Sequence, residues 1–336
     1  GREAPVAQVV ESILTRARIT ARRDALGSVR ARVRAARAER APTLMLSAHT
    51  DEIALVVSKL DGAFLRVDAV GGIDTATVLG REVIVHAAEG PLPGVIATIP
   101  PHLTTASDRR KLPALRDLFV DVGLTEANLR ARVRPGDRIS FDTPLRRLMG
   151  ERAAGKSLDD RAGVLCALEA MRLLAAQPAP VDVVAVFSVQ EEVGLRGALT
   201  SAFALAPDAA IAIDVGFGDQ PDVPESGSIK LGGGPSIGIG PSLHPGLRER
   251  LKEVAKAQHI GHQFDLMPGR NGTDAWAIET ARGSVPCALL SIPLRHMHST
   301  AEVVDLRDIR ETARLIAAFA QGLDARTMEG WRHAAF

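Results

Sequence analysis

Tyrosine is missing from the 336 residues altogether, and nine phenylalanines with two tryptophans bring the aromatic content to only 3%. Surfaces that stack unpaired bases need such rings, so a single-stranded nucleic-acid binder is disfavoured. An excess of positive charge is missing too. The 41 basic residues stand against 40 acidic ones, whereas a nucleic-acid binder carries a basic excess or stripe. Two cysteines in a chain of this length make no disulfide framework. No apolar run reaches the roughly 18 residues of a membrane span, and Glu11, Arg16 and Arg18 interrupt any secretory signal pattern. These absences lead to the expectation of a soluble, reduced, cytoplasmic protein that binds neither nucleic acid nor membrane. The chain begins at Gly1 rather than Met, so part of the native N-terminus is expected to precede it.

Apolar residues, at 46%, are abundant enough for a substantial core, and the length leaves room for two domains. Several short apolar runs end abruptly in polar groups. Thr43–Ala48 runs into His49-Thr50-Asp51-Glu52, and Val181–Val189 into Gln190-Glu191-Glu192. Ala209–Ile213 ends at Asp214, and Cys287–Ile292 leads to His296 and His298. Their lengths suit buried strands. Helical periodicity lies between them: Asp160–Ala176 places Val164, Leu168, Met171 and Leu174 on one face, and Leu247–Gln258 and Asp308–Leu323 are similar. Val6–Leu26 also reads as an amphipathic helix, on Val9, Ile13 and Ile19. Interleaved helices and buried strands predict an open α/β sheet covered on both faces.

Residues 62–154 have a different texture, with short strand-like segments (Phe64–Val67, Glu82–His86, Val95–Ile99, Pro135–Phe141) between glycine and proline turns. They predict a small β-rich unit inserted into an α/β domain formed by residues 1–61 and 155–336.

Open α/β sheets bind ligands beyond the carboxyl ends of their strands. Four expected strands end there in His49, Glu191–Glu192, Asp214 and the His296/His298 pair, and Asp159–Asp160 opens a helix. Imidazoles mixed with carboxylates suit zinc, cobalt or manganese. Five such elements exceed the needs of one tetrahedral ion and invite a two-metal site.

The chain resembles the tetrahedral-particle metalloaminopeptidases, a family of cytosolic dinuclear enzymes whose members carry the names glutamyl aminopeptidase, deblocking aminopeptidase or endoglucanase. The likeness rests on Ala48-His-Thr-Asp-Glu-Ile53, Lys156-Ser-Leu-Asp-Asp-Arg-Ala-Gly163 and Gln190-Glu-Glu-Val-Gly-Leu-Arg-Gly197. It continues through Asp214, Gly233-Gly-Pro235, Gly272-Thr-Asp-Ala275 and Pro293-Leu-Arg-His-Met-His-Ser299 followed by Glu302. It implies a three-layer α/β/α metallopeptidase domain carrying a PDZ-like dimerisation domain, with dimers building a twelve-subunit particle that admits peptides. It also implies two divalent ions per subunit, zinc or cobalt with manganese as an alternative. Asp159 then bridges the ions, His49 and Asp214 complete one set of ligands, and Glu192 and His298 complete the other. Glu191 is the general base for a shared water, and Asp51 orients His49.

Two positions depart from the family pattern. His296 stands where tyrosine is common, and it either lines the substrate pocket or competes with His298, which the match through Ser299 favours. Val215-Gly216 stands where Thr-His is common. Gly272, Thr273 and Asp274 are further pocket candidates.

Rival readings are a carboxypeptidase or N-acyl amino-acid deacylase of the same architecture, and a non-catalytic particle-forming homologue. Gly234-Pro-Ser-Ile-Gly238 has nucleophile-elbow spacing, but Gly240-Pro241 follows where a helix would have to start. Cys166 and Cys287 read as buried thiols, and Arg147 and the run Arg30–Arg40 as solvated faces.

Overall fold

The four apolar runs lie side by side at the centre of one large sheet. In the computed structural model, which describes residues 1–36, 41–103 and 112–333, the strands Asp182–Ser188, Thr43–His49, Ala209–Phe217 and Cys287–Arg295 are neighbours in that order. All three pairings between them are parallel. From Thr43–His49 the chain goes to one side for Asp182–Ser188 and then to the other for Ala209–Phe217. Such a reversal of direction opens a crevice at the carboxyl ends of the strands.

Strand periodicity splits the side chains between two cores. Leu44, Leu46, Ala48, Val183, Ala185 and Phe187 join the larger one, with residues of the helices Leu158–Ala176, Pro245–Ala257 and Leu306–Gln321. Met45, Val184, Val186, Ala210 and Ala212 join the other, with Arg196–Leu205 and Asp274–Glu279. Each buried leucine-sized side chain contributes roughly 1.5–3 kcal/mol, so this alternation holds the register and with it the positions of the strand ends. The predicted face of Leu158–Ala176 is the buried one: Val164, Leu168, Met171 and Leu174 all pack inward.

The first helix differs from expectation. It spans Ala4–Arg16, not Val6–Leu26, and Ala21–Arg23 is a strand pairing with Val29–Val33. Arg18, at φ 59°, turns the chain between the two. Val9 and Ile13 are 58% and 39% exposed, and the buried stripe is Ala7, Val10 and Leu14. A small alanine at position 7 allows close packing, which a rule based on large apolar residues overlooks. Of the arginine run, Arg30 and Arg32 pair with Asp24 at 2.8 Å and Asp182 at 3.5 Å instead of simply facing water; positions 37–40 lie outside the described residues.

The β-rich unit is a closed six-stranded barrel with its own core, which includes Leu55, Val67, Val85, Ile96 and Ile139. It takes in Ala54–Asp61, ahead of the boundary drawn at residue 62, because this strand pairs with Phe64–Val70 and Arg138–Phe141. Only the start of this strand, Ala54–Val57, is an apolar run like those of the large sheet, and composition marks the boundary at the turn that follows. At the other end, Arg146–Arg147 and Arg152–Gly155 form a hairpin that joins the large sheet through Glu302–Asp305. Residues 104–111 of the inserted unit lie outside the described residues. Among the described residues no helix is long and apolar enough to cross a membrane.

Candidate metal centre

Sheet register brings the polar strand ends together. Ser188 stands opposite His49, and Ala212 opposite Ser47. Asp214, two residues beyond Ala212, is therefore level with His49 on the same face of the sheet. Glu191 and Glu192 follow a turn at Gln190, φ 59°, just after the strand Asp182–Ser188. His298 lies in the turn after Cys287–Arg295, and Asp159 at the irregular first turn of Leu158–Ala176.

Asp159 is the centre of the cluster. Its Oδ1 lies 3.0 Å from His49 Nε2, and its Oδ2 lies 3.3 Å from His298 Nε2. Around His49 Nε2, Asp214 Oδ1 and Glu191 Oε2 are each 3.9 Å away. Glu192 Oε2 lies 3.7 Å from His298 Nε2. Potential ligand atoms approach within 4.8 Å of one another in three overlapping groups: His49, Asp160 and Asp214; His49, Glu191 and Glu192; and Asp159, Glu192 and His298. The barrel closes over one side of this cluster. A Cβ on Gly72 would come 2.8 Å from His298 Nδ1, so a larger residue in the loop after Phe64–Val70 would press on that imidazole.

The electrostatics are those of excess buried negative charge. Burial pushes Glu191 up to about 9, Asp214 up to about 8 and Glu192 up to about 7, with neighbouring carboxylates adding to each. The hydrogen bond to Asp159 lifts His298 to about 9. Burial opposes charge on His49, but Asp159, Asp51 and Asp214 outweigh it and raise its pKa well above the ordinary value. Burial likewise opposes ionisation of Asp159, which the two imidazoles overcome. Among the described residues no lysine or arginine pairs with Asp159, Glu191, Glu192 or Asp214. Buried carboxylates at this density need positive charge, and a mixed imidazole–carboxylate set fits divalent transition-metal ions.

The stability of the metal-stripped chain should therefore fall as pH rises. Glu191, Glu192 and Asp214 keep their protons in the fold far above the model-peptide values of 4.5, 4.5 and 3.8, at which the unfolded chain releases them. Raising the pH through this window favours the unfolded state. The raised histidines act in the same direction, since their attraction to carboxylates is full below 6.5 and is lost as pH passes their folded values. Asp159, held low, opposes this only in acid, where its contribution is lost as pH falls. Calorimetry of stripped protein should show Tm falling from about pH 5 upward, and zinc or cobalt should remove most of the loss. A stripped Tm that does not move with pH would contradict this account.

Most of the sequence-derived site residues meet here, but several have different contacts from those expected. Asp51 does face His49, yet the nearer contact to His49 Nδ1 is its main-chain oxygen at 3.2 Å, with the carboxylate at 3.6 Å. That carboxylate accepts the main-chain N–H groups of Glu191 and Glu192 at 3.0 and 3.1 Å, so it anchors both glutamates. His296 stays out of the cluster and lines a neighbouring cavity of about 660 Å³ with Asp219, Lys230 and Arg295.

Thr273 and Asp274 are both buried and engaged in local hydrogen bonds. Thr273 caps the helix Asp274–Glu279 by accepting from Ala275 N–H at 3.2 Å. Asp274 is 2% exposed and accepts the hydroxyls of Ser47 and Ser188, both at 2.7 Å. It thus holds the two strands that carry His49 and the glutamates. Gly272 is exposed in the loop before them, at φ 70°.

Asp160 and Glu302 carry contacts that the sequence pattern does not disclose. Asp160 accepts His49 N–H at 3.1 Å and Gly163 N–H at 3.0 Å, so its oxygens are already engaged. The Asp159-Asp160 doublet was the visible signal, but nothing local says which carboxylate turns toward the main chain. Ser236 opens the strand Ser236–Ile239 with its hydroxyl buried, and the next α-helix starts only at Pro245. Cys166 and Cys287 are buried free thiols.

Comparison with known proteins gives a consistent result. The family profile described as M42 glutamyl aminopeptidase matches residues 27–315. A lysyl aminopeptidase of Pyrococcus furiosus is 37% identical over 306 residues, covering 89% of this chain and 86% of the relative. Among solved structures, a TET aminopeptidase from the marine sediment archaeon Thaumarchaeota archaeon SCGC AB-539-E09 superposes with TM-score 0.92 at 32% identity, covering 98% of this chain and 94% of that one. The Pyrococcus horikoshii TET1 peptidase, described as assembling into a tetrahedron or a large octahedral shell, gives TM-score 0.84 at 30% identity, with 96% and 94% covered.

Proposed function

Since the chain belongs to the M42 glutamyl aminopeptidase family and is a metalloaminopeptidase, we propose that it removes single residues from the free N-termini of peptides, using two divalent ions and Glu191 as general base. The observation that carries this reading is the position of Asp159, whose two oxygens face two different imidazoles at 3.0 and 3.3 Å. His49 and Asp214 would hold one ion, Glu192 and His298 the other, and Asp159 would be shared. Zinc or cobalt suits these donors best, and manganese is compatible. When bound, such ions polarise a scissile carbonyl and make water more acidic.

The protein's own part is proton handling and alignment. Glu191 takes a proton from the attacking water and delivers it to the leaving amine nitrogen, so one carboxylate serves both halves of the reaction. Burial raises the proton affinity of Glu191 in the metal-free chain, and bound cations would lower it again so that the carboxylate can accept a proton. Asp51 fixes the main chain under Glu191 and Glu192, which lets adjacent residues divide the roles of base and ligand. Asp274 steadies both strands from below.

The barrel serves as a PDZ-like dimerisation domain, and dimers assemble into a tetrahedral dodecamer. The shell described for the Pyrococcus horikoshii relative supports this assembly. A cytoplasmic setting completes the proposal.

A panel of free-amine and N-blocked aminoacyl reporters, offered to stripped and to zinc-, cobalt- or manganese-reloaded protein, tests the activity. Release is expected only from free-amine reporters and only after reloading. Release from blocked substrates alone would point to a deacylase, and release from none would remove the reading.

A further inference from the structure

Three of the groups that surround the candidate ligands are carboxylates, and what they hold is main chain. Asp160 accepts the N–H of His49, and Asp51 accepts those of Glu191 and Glu192. The third is Glu302. Its Oε2 accepts Asp159 N–H at 3.1 Å and its Oε1 accepts His298 N–H at 3.2 Å. One buried side chain thus grips two residues that lie far apart in sequence and face each other across the cluster.

Neither residue has a regular backbone partner to replace it. Asp159, at φ −79° and ψ 103°, breaks the helical pattern of the segment it sits in, and His298 has φ 58° in an irregular turn. Buried N–H groups outside helix and sheet must find an acceptor, and Glu302 supplies one to each. The carboxylate is itself well fixed. It opens the strand Glu302–Asp305, pairs opposite Gly155 and is almost wholly buried. Its two oxygens are taken up by main-chain donors, so its recorded hydrogen bonds run to the backbone of the two residues and not to their side chains.

We propose that Glu302 is a positioning residue that sets the separation of Asp159 and His298, and through it the metal affinity of the half-site formed by Asp159, Glu192 and His298. This rests on the two-ion reading above. A glutamine at 302 keeps the shape but offers one oxygen, so its amide N–H₂ meets one of the two backbone donors. That half-site loses the hold on two of its ligands, Asp159 and His298, whereas the half-site at His49 and Asp214 is disturbed only through the shared Asp159, with the N–H of His49 still held by Asp160.

The test is a cobalt titration of the 336-residue chain against a competing chelator, with bound metal counted by elemental analysis. The parent should bind two ions. Glu302→Gln should bind the second ion about 10–100-fold more weakly, the usual cost of losing a group behind a ligand, and the first with a clearly smaller loss. Saturating cobalt should restore the second ion and its visible absorption. In a His298→Ala background, adding Glu302→Gln should lower metal affinity by less than it does in the parent, because only the hold on Asp159 is left to lose. Should Glu302→Gln fold poorly, Glu302→Asp, which keeps the charge and shortens the reach, serves the same comparison. Parental affinity at both half-sites, or an equal loss at both, would overturn the proposal. A parent chain that binds fewer than two ions would instead overturn the two-ion reading, and the unmutated protein alone reports that outcome.

Discussion

Changing Glu191 to glutamine should leave both ions bound and reduce kcat by about 10²–10⁴-fold or more. The amide has nearly the shape of the carboxylate but cannot take a proton, so the loss isolates base chemistry from positioning. Glu191 Oε2 lies 3.9 Å from His49 Nε2, as far as Asp214 Oδ1, whereas Asp159 has one oxygen facing each imidazole and Glu192 lies 3.7 Å from His298. Metal content measured beside kcat decides the point. Near-normal turnover would remove Glu191 as the base. Loss of a metal ion together with activity would make it a ligand, and the roles of the paired glutamates would have to be exchanged.

Changing Asp159 to asparagine should have the broadest effect of any single substitution in the cluster. Each carboxylate oxygen faces one imidazole, and an amide keeps only one of the two oxygens. Affinity should fall at both half-sites, by more than the roughly 10–100-fold expected for a supporting residue such as Glu302, and activity at ordinary metal concentrations should disappear. Elemental analysis against buffered metal reads the result, and circular dichroism distinguishes lost ions from a lost fold. If Asp159→Asn kept one ion at parental affinity, Asp159 would belong to a single half-site and the bridging role would fail.

The positions of these residues were legible in the sequence for a simple reason. Buried parallel strands are continuous apolar runs, so the first polar residues after each run mark its end. His49, Glu191, Glu192, Asp214 and His298 all announce themselves in that way, and Asp159 does so at a helix start. The helical face of Val164, Leu168, Met171 and Leu174 was equally plain, because four large apolar residues fall at one spacing. The N-terminal helix was less so. A single residue in the left-handed region, Arg18, ends the pattern there, and the buried stripe depends on a small residue, Ala7.

Sequence by itself therefore determined an α/β sheet, an inserted β-rich unit and a set of imidazoles and carboxylates at strand ends. Only the tertiary structure decided what each carboxylate does. Asp51, Asp160, Asp274 and Glu302 look like ligands or surface acids in one dimension, yet each spends its oxygens on N–H or O–H donors that include groups more than 80 residues away in the chain. The apolar periodicity that reveals a strand is local, whereas the partner of a buried oxygen depends on which strands become neighbours. That choice is made by the order and register of the whole sheet.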